Sequence, residues 1–68
     1  MNPIQDAIEL ARSAIQHQEH KPVALDGWYI SNHQRHTIEI SVGMSVSPVE
    51  AFEVRVCIDL EAGTVKLV

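Results

Sequence analysis

Four histidines fall into two equally spaced pairs, His17-x-x-His20 and His33-x-x-His36. A metal ion needs several nitrogen, sulfur or carboxylate ligands converging at about 2 Å, and a three-residue offset on a helix or turn can bring two imidazoles to one side. His17, His20, His33 and His36 are therefore the candidate metal ligands. Neither pair lies in a known metal-binding motif, and the single cysteine, Cys57, belongs to a distant alternating segment. Solvent-facing histidines without a shared role are the simpler reading, with pH response or partner contact as a further one.

Other chemistry has less support. A nucleophile needs an adjacent base and a group to orient it, and neither the hydroxyls nor Cys57 come in such an arrangement. Glu39 and Glu53 form a carboxylate pair on neighbouring segments, but with Arg55 between them in character they read first as a surface charge network. Gly27, Gly43 and Gly63 are isolated, so no phosphate-cradling nest precedes a helix, and no cofactor is expected.

Size and charge narrow the field further. Sixty-eight residues allow one core, so the chain is read as a single domain spanning 1–68. A chain this short buries only about 60% of its extended surface, which leaves room for a homodimer formed through an open sheet edge or the outer sheet face. Nine acidic against five basic residues give a net charge of -4, and Arg12, Lys21, Arg35, Arg55 and Lys66 are dispersed. Direct nucleic-acid binding is therefore not expected, whereas a basic protein partner suits the balance. One cysteine permits no internal disulfide, no leader pattern opens the chain, and no apolar run approaches the ~20 residues of a membrane span. A cytoplasmic setting without membrane insertion is the expectation.

The elements that must position these residues show two different periods. Asn2, Pro3 and Gln5 form a helix start, in which Asn caps, Pro fits the first turn and Gln can close a capping box. Ile4, Ala7, Ile8, Ala11, Ala14 and Ile15 then recur on one face, and Pro22 ends the helix between Gln18 and Lys21. Val23 to Ser31 reads as one irregular strand bulged at Asp26-Gly27, followed by a polar link over 32–35. Thr37 to Val42 alternates as a strand with one wet face, and Gly43 to Glu50 reads as a loop or frayed edge in which Met44, Val46 and Val49 can still anchor to the core. Phe52, Val54, Val56 and Ile58 form the inner face of the clearest strand. Asp59 to Gly63 then turns the chain into a last strand over Thr64 to Val68, with Val65 and Leu67 inward. The order α-β-β-β-β gives an α+β fold in two layers, one amphipathic helix on a three- to four-stranded, mostly antiparallel sheet.

Trp28 and Tyr29 are adjacent on a strand and so point to opposite faces, Trp28 toward the core and Tyr29 toward solvent. Tryptophan and tyrosine are common interface anchors, and Tyr29, His36, Glu39 and Arg55 form the candidate binding surface.

The closing stretch Phe52 to Val68, with its alternating apolar residues around an Asp-containing, Gly-ended turn, resembles the final hairpin of PepSY-type domains. The resemblance implies noncatalytic binding or inhibition and carries over no binding residue.

The sequence thus points to a small noncatalytic protein-binding domain of the inhibitor, antitoxin-like or accessory kind. A metal-binding module using the paired histidines, and an enzyme whose site forms only between subunits, are the alternatives from other classes.

Overall fold

The computed structural model describes residues 2–68. Helix α1 spans Pro3–Glu19, and strands β1 (Ala24–His33), β2 (Thr37–Ser47), β3 (Glu50–Asp59) and β4 (Thr64–Leu67) follow. Every adjacent pair is antiparallel and the spatial order is β1-β2-β3-β4, an up-and-down meander with the helix packed on one side.

Local chemistry accounts for both ends of the helix. Asn2 is extended and its Oδ1 accepts from the Ile4 amide at 3.0 Å, while Pro3 occupies the first turn, where no intrahelical donor is needed. His20 closes the helix in the left-handed region at φ 56°, its amide donating to the Gln16 carbonyl at 2.8 Å, and Pro22 prevents continuation. Ala7, Ala11 and Ile15 are buried at four-residue spacing and face the sheet. Two alanines in that row let the helix backbone lie close to the strands.

The core joins this row to Ile40, Val42 and Met44 of β2 and Val56 and Ile58 of β3, all essentially inaccessible. Residues directly opposite in an antiparallel ladder share a face. The register therefore places the rows Leu25–Met44–Phe52, Trp28–Val42–Val54 and Ile30–Ile40–Val56–Leu67 on the helix side.

The expected irregular strand at Asp26-Gly27 is present, and its function in the fold is clear. Leu25 and Trp28 are three residues apart and would face opposite ways in a regular strand. A register shift between Leu25 and Gly27 absorbs the odd residue, so both face the helix side, and a second shift between Ile30 and Asn32 acts the same way. Asp26 Oδ1 accepts from the Ser45 hydroxyl at 3.2 Å, and the Ser31 hydroxyl donates to the Glu39 carbonyl at 3.2 Å, fixing both irregularities.

Three expectations are corrected. Residues 43–47 are not a loop or frayed edge but the second half of β2, where Met44 is fully buried. Residues 43–45 are paired on both sides, and inward alternation through Val42, Met44 and Val46 continues regardless of Gly43. The polar link also starts later, since β1 runs through His33. Trp28 is not a core residue: it remains 42% exposed. A helix about 10 Å across covers roughly two strands spaced about 4.8 Å apart. Here α1 packs mainly on β3 and β4, less on β2, and leaves β1 largely bare.

The final turn follows its sequence signature. Asp59 Oδ1 accepts from the amides of Glu61 and Ala62, each at 3.0 Å, the Gly63 amide donates to the Asp59 carbonyl, and Gly63 takes φ 70°. No helix among the described residues is long and apolar enough to cross a membrane.

Candidate functional site

Bare β1 creates the first surface. Leu25, Trp28 and Ile30 are 39%, 42% and 49% exposed on the side that the helix would have to reach to cover them. Between β1 and the N-terminal half of α1 lies an open groove of about 320 Å³, with Ile4, Ile8, Leu25 and Trp28 as its apolar walls and Asn2, Gln5, Glu9 and Arg12 on its polar side. Arg12 Nη1 lies 3.2 Å from Glu9 Oε1, and the enclosed Arg12 Nε has no hydrogen-bond partner among the described residues. An ion pair of two partly exposed side chains on one helix is a surface feature, not a pair of catalytic groups. A second open hollow of about 480 Å³ at the end of the sheet, between Pro22–Ala24 and Ser45–Pro48, is lined by no ionisable side chain. The one hydroxyl–carboxylate contact at either hollow is Ser45 with Asp26, which ties β2 to the irregular part of β1.

The second surface is the sheet face away from the helix. The register sets Tyr29, Ser41 and Arg55 in one row and Asn32, Glu39, Cys57 and Lys66 in the next. Three of the four residues expected to form a binding surface, Tyr29, Glu39 and Arg55, are thus neighbours on one face, with Tyr29 56% exposed. His36 is not beside them. It precedes β2, its carbonyl accepts from the Leu60 amide, and its Nδ1 lies 3.9 Å from Glu61 Oε2 at the end of the sheet. Five residues along the chain from Ser41, it is roughly 16 Å from the Tyr29 row.

The histidine pairs stay apart. His17 and His20, with ring centroids 6.3 Å apart, lie at the C-terminal end of α1 before β1 begins, whereas His33 ends β1 and His36 follows it. The ten residues of β1 span roughly 30 Å between them. Among the described residues no three His, Cys, Asp or Glu side chains gather in a way that could hold a metal ion. Cys57 is a half-buried free thiol on the outer face.

No protein-family model, curated protein or solved structure matches the chain. The likeness of Phe52 to Val68 to a PepSY-type hairpin rests on strand alternation and the Asp59–Gly63 turn alone. Sequence reasoning missed the Leu25–Trp28–Ile30 surface because apolar alternation shows which residues share a face but not whether another element covers that face.

Proposed function

We propose that the chain is a noncatalytic protein-binding domain, in the manner of an inhibitor or accessory factor, that grips an amphipathic segment of a basic partner along the groove between α1 and β1. The observation that carries this reading is the exposure of Leu25, Trp28 and Ile30 on the helix side of β1, the first two lining a groove with Ile4 and Ile8. Exposed apolar surface that could have been covered marks a site of association, and tryptophan is the residue most enriched where binding energy concentrates. The groove suits an apolar ridge such as one face of a helix. The chain's charge of -4 favours a partner with basic flanks. The outer face with Tyr29, Glu39 and Arg55 is a separate contact surface of the same domain. A reducing, cytoplasmic setting fits the lone thiol of Cys57.

Quantitative affinity capture from the protein's own cells tests the reading, comparing the wild type with Trp28→Ala/Ile30→Ser. Bait-specific proteins should fall roughly tenfold in the variant, the loss of about 1.4 kcal/mol expected when an anchor is truncated. Undiminished capture by a folded variant would remove the groove as the docking site.

A further inference from the structure

We infer that the outer sheet face is a self-association surface, on which a second copy of this chain stacks sheet against sheet about a two-fold axis. The inference rests on the reading of that face as a binding surface and names its occupant.

Area is the first argument. The molecule measures 37 × 19 × 18 Å, and its longest strand, β2, has eleven residues. The sheet face therefore offers at most roughly 700 Å², close to the roughly 800 Å² per partner of a stable interface. Only an occupant covering nearly the whole face approaches that value, and another four-stranded sheet does so, whereas a peptide or single helix does not.

Edge pairing is the competing route to a dimer, and the fold obstructs it. β1 is an edge interrupted by two register shifts, and β4 is an edge of four residues carrying Lys66. Bulges, shortness and lysine are the devices by which sheets resist edge-to-edge addition.

Charge is the second argument. Arg55 and Lys66 share the face with Glu39, Glu53 and Asp59; Asp59 accepts from the Glu61 and Ala62 amides, and neither of the ion pairs among the described residues uses any of the other four. Two cations and two carboxylates without partners are self-complementary under a two-fold axis, where residue i meets j and j meets i. Arg55 of each copy can then face Glu53 of the other.

Shape supplies the third. Next to the Tyr29 row, Gly27 and Gly43 face each other across β1 and β2. A Cβ added at Gly27 would meet nothing within 4 Å, and one at Gly43 only the Gly27 carbonyl at 3.6 Å. Neither has positive φ. Gly27 adjoins the register shift after Leu25, where glycine is common, but neither space nor positive φ within one chain requires a glycine at 43, although glycine inside a strand is unfavourable. A tyrosine standing perpendicular to one sheet nearly spans the about 10 Å between stacked sheets, so it needs a facing position without a side chain. The Gly27–Gly43 hollow of one copy accepts Tyr29 of the other.

Sedimentation equilibrium of the full chain tests this, with far-UV circular dichroism confirming that each variant is folded. The wild type should form dimers in the micromolar range. Gly43→Val should weaken dimerisation at least tenfold by filling the hollow, even though a β-branched residue suits the strand. Arg55→Glu should weaken it likewise, and adding Glu53→Arg should restore it. A wild type that stays monomeric throughout, a Gly43→Val that dimerises as tightly, or a double variant that fails to recover overturns the inference. Loss of capture in Trp28→Ala/Ile30→Ser would still support the groove in those cases, so the two readings fail separately.

Discussion

Trp28→Ala measures how far the helix covers the sheet. A large aromatic buries up to about 250 Å². At 42% exposure Trp28 therefore removes roughly 145 Å² from water. The Ala side chain would keep roughly 40 Å² of that, so the difference is about 100 Å², or about 2.5 kcal/mol at about 25 cal/mol per Å². Compactness of the unfolded chain lowers this to about 1.5–2 kcal/mol. A domain of this length is stable by about 3–10 kcal/mol, so the variant should remain folded. Urea denaturation followed by circular dichroism at 222 nm, with protein concentration held fixed because self-association adds to apparent stability, gives the difference. A loss of about 4 kcal/mol or more would mean that Trp28 is a core residue and that α1 reaches β1. A loss below about 0.5 kcal/mol would mean that the indole has no packing role on the helix side. Either result refutes the arrangement in which Trp28 is only partly covered.

Asp59→Ala removes the carboxylate that accepts from two turn amides, so stability should fall by about 1–2 kcal/mol in the same assay, whereas Asp59→Asn, which keeps an acceptor oxygen, should lose less. Because the histidine pairs lie at opposite ends of β1, exhaustive treatment with a chelator should leave the melting temperature unchanged, and a fall of several degrees would reinstate a metal among His17, His20, His33 and His36.

Much of this architecture was legible from residue order because it rests on local periods and caps. Asn2, Pro3 and the four-residue spacing of Ala7, Ala11 and Ile15 specify a helix and its inward face without reference to anything distant. Phe52 through Ile58 alternates cleanly, and Asp59 with Gly63 encodes its turn in its own side chain and backbone freedom. The outward placement of Tyr29, Glu39 and Arg55 follows from the same alternation.

Only the tertiary structure decided what alternation cannot express. Gly43, Ser45 and Ser47 carry turn-like composition, yet pairing of Gly43 and Ser45 on both sides, and of Ser47 with β3, holds them in a central strand and buries Met44. Trp28 and Ile30 belong to the apolar side of the sheet, but one helix is too narrow for four strands, and its position over β3 and β4 leaves them exposed. His36 shares a sequence neighbourhood with the outer face yet is held at the sheet's end by the Leu60 amide. A residue's face is set by its own strand, whereas its burial is set by which element packs above it, and that choice is made by the chain as a whole.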